Sequence, residues 1–299
     1  MAANARTTEQ AFVKQRPTKL RRFRLRFRRN RLAVAALCFI TVEVLVALFA
    51  PWVAPFDPYK GDFTATWQTP NNLHWLGTDD LGRDVLSRLI YGARVSVSVG
   101  VLSQLVIALV GLPVGALAGL KGGWVDYAVM RVIDVLSSLP SMLFYVLLMV
   151  ALGAGFGNLI LAMAATGWIG IARLVRGQVL SLKETDYVRA ARAMGGGTRH
   201  IMRTHLLRNA TTPVIVALAL GIPGAMFAEA GLSFLGVGIP SPQASWGQMI
   251  GMYQPYIRTA WHLTVFPAAV LAVTMLAWFL LGDGIRDALD TGTVERNER

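Results

Sequence analysis

The sequence has a single cysteine, Cys38, in 299 residues, which excludes an internal disulfide and a cysteine-based metal cluster. Its four histidines, His74, His200, His205 and His262, show no zinc-ligand spacing. There is no G-x-x-x-x-G-K-S/T phosphate loop, and no cluster of acid, base and nucleophile side chains of the kind an enzyme needs. Charge is also scarce. Charged residues make up 15% of the chain, against about 25% in an average soluble domain. Residues 95–120 and 135–172 hold none at all.

What stands in place of charge is apolar length. Hydrophobic residues are 54% of the chain, and the mean hydropathy is +0.49. A helix needs about 20 apolar residues to cross the roughly 30 Å hydrocarbon layer of a membrane. Residues 135–172 are therefore long enough for two crossings, parted at Gly153–Asn158 (GAGFGN). The pattern predicts six transmembrane helices, near 32–53, 94–119, 129–151, 158–180, 210–231 and 260–282. The expected fold class is all-α, a polytopic membrane protein. No secretory signal peptide is evident, because the first apolar run begins only near Leu32 and is too long for an h-region. No internal repeat supports an inverted-repeat secondary transporter.

The formal net charge of +12 is unevenly placed. Eleven of the 29 Lys and Arg residues lie in the basic N-terminal segment 1–31. With both termini in the cytoplasm, 24 of the 29 fall on cytoplasmic segments, as the positive-inside rule requires. A nucleic-acid arm is the rival reading of 1–31. Phe23, Leu25 and Phe27 interleave the arginines as in an interfacial helix lying on anionic headgroups, which favours lipid. The remaining stretches are an external segment 54–93, a polar cytoplasmic loop 181–209, an external Gly/Pro/Ser-rich loop 233–258 and a polar C-terminal tail 291–299.

The cytoplasmic loop carries the most information. Ser181 with Glu184 fits a capping box, so a helix is expected from Leu182 to Met194. Tyr187, Val188, Ala191 and Met194 then fall on one face, and Gly195-Gly-Gly197 ends the helix. Thr198 would cap a second short helix running through Ile201, Met202 and His205 to Leu206.

Residues 187–195 (YVRAARAMG), followed by 205–209 (HLLRN), resemble the "EAA" loop of ABC importer permeases. In that loop Glu-Ala-Ala is followed by three residues, a Gly, nine residues and an apolar segment ending in Pro. Ala190, Ala191 and Gly195 match in identity and spacing, and Leu207 matches in the apolar segment. Arg189 stands where Glu is expected and Arg208 where Pro is expected. Four further stretches agree in order: 76–88 with 91–94, 126–140, 232–236 with 246–249, and 282–290. Over about residues 30–290 the chain is similar to permeases of the dipeptide, oligopeptide and nickel family, and to the second, C-type, permease of the pair.

This resemblance implies a type I importer permease fold over 32–290, in a bacterial cytoplasmic (inner) membrane. It implies a heterodimer with a second permease, two cytoplasmic ATPase subunits that bind ATP and Mg, and an extracytoplasmic substrate-binding protein. No cofactor is expected in this chain. The ATPase-coupling residues would be Glu184, Asp186, Tyr187, Val188, Arg189, Ala190, Ala191, Arg192, Met194 and Gly195. Short peptides are the expected cargo, with nickel chelates or glutathione-like solutes as alternatives. A self-contained six-helix channel or secondary transporter is the alternative of another class. It leaves loops 181–209 and 233–258 without a purpose.

Three sets of charges need placing. Glu229, at the outer end of the fifth span, is either a carboxylate solvated at the membrane edge or part of the translocation pathway. Glu43, nearer the middle of the first span, is expected to contact a neighbouring helix. Asp79, Asp80, Arg83 and Asp84 read as caps and local ion pairs rather than a cation site.

Overall fold

Asn30 separates the first two helices, α1 (Lys19–Arg29) and α2 (Arg31–Leu48), and caps the second by accepting the Ala33 N–H at 3.1 Å. A computed structural model describes residues 19–197, 201, 204 and 207–289. Among the described residues every regular element is helical, apart from an isolated β-bridge between Thr78 and Asp84. The chain continues through α3 (Val85–Lys121), α4 (Gly123–Ser137), α5 (Ser141–Leu152), α6 (Phe156–Lys183), α7 (Asp186–Ala193), α8 (Leu207–Phe234), α9 (Trp246–Tyr253) and α10 (His262–Leu289). Helices α2, α3, α6, α8 and α10 are each long and apolar enough to cross a membrane, and the bent pair α4–α5 is long and apolar enough together to count as a sixth.

Four expectations are corrected. The second span begins at Val85 rather than 94, because the Asp84 carboxylate accepts the Ser87 N–H at 2.8 Å and starts the helix early. At 37 residues α3 is about 55 Å long, far beyond the hydrocarbon thickness. The third span is not one helix. It bends by 83° at residues 138–140, where Pro140 lacks a donor N–H and holds Leu139 away from helical geometry. The Ser181 capping box does not form. Helix α6 continues through Ser181 to Lys183, whose ammonium bonds the Gly119 and Leu120 carbonyls at 3.0 Å each, and the chain breaks only at Thr185. Loop 233–258 contains helix α9, capped by the Ser245 hydroxyl accepting from the Gln248 N–H at 3.0 Å.

Helices α3 and α6 run side by side in the same direction. Gly111, Gly115 and Gly119 form the contact, and a Cβ at Gly115 would stand 2.3 Å from the Ala172 carbonyl oxygen. Small residues at this spacing let backbones approach where lipid supplies no hydrophobic drive. Glu43 meets α10 as expected, accepting a hydrogen bond from the Thr274 hydroxyl. The bundle thus has two ends. One carries α7, the α3–α4 turn and the outer end of α1. The other carries residues 54–84, the α5–α6 turn and α9. The proposed second short helix (198–206, with His200 and His205), residues 1–18 and the 291–299 tail lie outside the described residues, except that Ile201 is buried.

Candidate functional site: a mid-bundle cavity between two polar ends

Between α3, α5, α6 and α8 lies a cavity of about 450 Å³, lined by Gln104, Tyr145, Met163, Gly167, Gly221 and Ala228 among others. Among the described residues no Asp, Glu, Lys, Arg or His lines it. Its main polar feature is Gln104, whose amide donates to the Gly221 carbonyl at 3.2 Å across the α3–α8 contact. A Cβ at 221 would stand 2.4 Å from Gln104 Oε1, so a larger residue there would displace the Gln104 amide from this position. A neutral cavity walled by glycine and alanine holds solute or water without fixing a particular ion. Nothing in the sequence's periodicity singled out Gln104; a lone amide in an apolar run was the available signal.

At the α7 end, the helix is short and sharply stopped. Gly195, at φ +83°, donates to the Arg192 carbonyl and Gly196 to the Ala191 carbonyl, both at 2.9 Å, a Schellman ending that needs the left-handed conformation. The expected apolar face divides in two. Val188 is fully buried and Ala191 partly so, whereas Tyr187 is exposed and Met194 is 81% exposed. Glu184, Asp186, Arg189, Ala190, Arg192 and Gly195 are exposed as well. Arg189 donates to Glu184 at 2.9 Å, and that bond holds the Glu184 carboxyl below the ordinary glutamate range. Val188 packs into one apolar cluster with Val179, Ile201 and Val214, and the same cluster contains Ile107 and Ile171 of the cavity wall. Arg176 forms a two-pronged pair with Asp126 (2.6 Å for the Nη2 arm), tying α6 to α4 nearby.

The α9 end is built from buried charge. Asp79 accepts from Arg83 Nε at 2.7 Å and lies 3.5 Å from Arg88 Nε. Arg88 is fully buried and reaches Gln248 of α9 at 3.5 Å and the Pro58 carbonyl at 3.4 Å. Tyr253 of α9 donates to Asp80 at 2.6 Å and accepts from Arg83 at 3.3 Å. Burial, then the Asp79 and Asp80 carboxylates, push the Tyr253 phenol far up, so it stays a neutral donor. Asp84 caps α3 and contacts His74 at 3.0 Å. The caps-and-pairs reading of 79–84 therefore describes these groups.

Glu229 is neither solvated nor on the cavity wall. It is fully buried, accepting from Ser245 at 2.7 Å and Ser233 at 2.8 Å, and Gly247 of α9 packs so close that a Cβ there would stand 2.9 Å from Glu229 Oε2. The physical reason is α9 itself, which folds back over the end of α8. A capping-box signature, Ser245 with Gln248, was the sequence signal for α9 that went unread.

Comparisons with known proteins agree with this architecture. Residues 111–294 match the family described as "Binding-protein-dependent transport system inner membrane component", and residues 18–72 match the "N-terminal TM domain of oligopeptide transport permease C". The chain is 44% identical over 266 residues to the dipeptide transport system permease protein DppC of Bacillus subtilis (strain 168), covering 89% of this chain and 83% of that one. It is 42% identical to the oligopeptide transport system permease protein OppC of the same organism, covering 89% and 87%. It is 37% identical to the glutathione transport system permease protein GsiD of Pectobacterium atrosepticum, covering 91% of each. A solved structure of the MetNI methionine ABC transporter in an inward-facing conformation shares the fold, with a TM-score of 0.57 at 23% identity over 68% of this chain and 96% of that chain. The chain belongs to the binding-protein-dependent transport system inner membrane component family, as a C-type, multi-pass permease subunit of an ABC importer.

Proposed function

We propose that this subunit forms one half of the path by which an ATP-driven importer carries short peptides, with α7 as the helix coupling it to a cytoplasmic ATPase subunit. One observation carries the reading: the cluster that buries Val188 of α7 also contains Ile107 and Ile171 of the cavity wall. A push on α7 is therefore delivered to the cavity through contiguous packed side chains, the kind of contact by which a bundle switches between two packings. Asp186, Ala190 and Arg192 of α7 are exposed and face a prospective partner. The asymmetry of basic residues puts the α7 end in the cytoplasm and the α9 end outside, toward a substrate-binding protein. A second permease subunit supplies the other half of the path, and the ATPase pair binds ATP and Mg. Peptide cargo is supported by the names of the relatives at 44% and 42% identity, and by a neutral cavity suited to solutes that share only a backbone.

The test is ATP-driven uptake of a labelled tripeptide by the purified assembly in proteoliposomes. The intact assembly is expected to transport, and Gly195→Pro is expected to lose uptake and substrate-stimulated ATPase together, since proline cannot take the positive φ at 195. A chain that purifies without ATPase subunits and transports without ATP would overturn the reading.

A further inference from the structure

A second cavity, of about 350 Å³, opens at the α9 end between α3, α6 and the two extramembrane segments. It is lined by Tyr59, Tyr91, Arg94, Ser98, Phe156 and Gln243. Its electrostatics differ from those of the mid-bundle cavity. Arg94 is the one charged residue in the lining, and it is exposed. Among the described residues no carboxylate lies within ion-pair distance of its guanidinium, although five acidic residues stand between 57 and 84. Each of those has its own engagement: Asp57 with Lys60, Asp62 with Thr64, Asp79 and Asp80 with Arg83, and Asp84 with Ser87 and His74. Arg94 instead stands over the Tyr91 ring, 5.8 Å from its centroid, and Tyr91 meets Tyr59 edge-on at 5.9 Å. Stacking on an aromatic face orients a guanidinium and leaves its N–H edge available to a planar anion.

The position of the cavity matters as much as its charge. Along α6, Phe156 lines this outer cavity, while Met163, Gly167 and Gly170 line the mid-bundle one. Those residues are spaced at i, i+7, i+11 and i+14, one face of a helix. On α3, Ser98 of the outer cavity and Gln104 of the mid-bundle one are about 9 Å apart along the axis. The two cavities thus lie in series along one face of α6.

We propose that the Arg94 cavity is a vestibule subsite that takes the terminal carboxylate of the substrate before it passes to the neutral cavity. Arg94 pairs with the carboxylate in a charge-assisted, two-pronged contact, and Gln243 and Ser98 offer hydrogen bonds to the adjoining peptide group. The lining that this chain's described residues give the cavity beyond offers the carboxylate no charged partner. This assignment rests on the peptide reading and on the α9 end facing outward.

The test uses the complete assembly with one binding protein throughout, and compares initial uptake of a tripeptide with that of its C-terminal amide over a range of loaded binding-protein concentrations from well below to above half-saturation. Arg94→Gln is expected to lower free-acid uptake at least about tenfold, through a raised half-saturating concentration, and to leave amide uptake unchanged. Arg94→Lys is expected to restore part of it. Gln243→Glu, which adds a carboxylate to the lining without touching Arg94, is expected to lower free-acid uptake selectively. Co-purification of the partner subunits with each variant establishes that the assembly is intact. Equal loss for both peptides, or a loss that follows the anionic lipid content of the vesicle, overturns the subsite and leaves Arg94 as a headgroup or docking contact. No change in either peptide overturns it as well. If the wild-type assembly carries neither peptide, the peptide reading itself falls and takes the subsite with it.

Discussion

The two ends of this bundle treat charge in opposite ways. At the α9 end Asp79, Arg83, Arg88 and Glu229 are all at most 3% exposed, and each is engaged by groups of the same chain. At the α7 end Glu184, Arg189 and Arg192 are exposed, and the buried side chain of the helix is apolar, Val188. Burying charge demands that every partner be in place, because a removed partner leaves an uncompensated ion. A region built that way is rigid and self-sufficient. A region with an apolar anchor and exposed charges tolerates surface change. The α9 end buries its charges against groups of this chain, whereas the α7 end keeps its charges at the surface.

Three substitutions break this comparison to different degrees, each read as the unfolding midpoint of the solubilised protein alongside ATPase coupling in the assembly. Asp79→Ala strands both Arg83 and Arg88 in the interior and is expected to cost about 3–5 kcal/mol. A loss below about 1 kcal/mol would mean that water reaches the cluster and that the cover is not closed. Glu229→Ala removes the acceptor for Ser245 and Ser233, loosening the cap of α9, and is expected to cost about 1–3 kcal/mol. Glu184→Gln, at the other end, is expected to lower the midpoint only slightly at neutral pH while reducing coupled ATPase. Arg189 holds the Glu184 carboxyl below its ordinary range, so whatever the pair contributes is present above that range and lost as the pH falls through the lowered value. Wild type and Glu184→Gln therefore converge in acid. A large drop in midpoint for Glu184→Gln would erase the distinction between the ends.

How much was legible beforehand depended on the range of the interaction. Crossings near 32–53, 158–180, 210–231 and 260–282 follow from hydropathy, and α2, α6, α8 and α10 occupy them. The stop at Gly195 was legible because a left-handed residue is a local requirement that glycine meets. Ser181 misled because a capping box is a local preference, and Lys183, bonded to carbonyls of α3, carries α6 past it. The bend in the third span was signalled by Pro140 but masked by the charge-free run 135–172 that includes it. Helix α9 was signalled by Ser245 and Gln248, yet its short length and flanking Gly and Pro made it read as a loop.

The sequence alone determined that the chain spans a membrane several times and which family it resembles, since these depend on composition, local periodicity and contiguous motifs. Only the tertiary structure decided where Glu229 and Arg88 reside, that Val188 is an anchor rather than a surface contact, and that Ile107 and Ile171 share its cluster and wall a cavity. The physical reason is that burial and pairing are set by which residues distant in the chain come to lie alongside. Arg88 and Gln248, 160 positions apart, meet only because α9 folds back onto the first turns of α3.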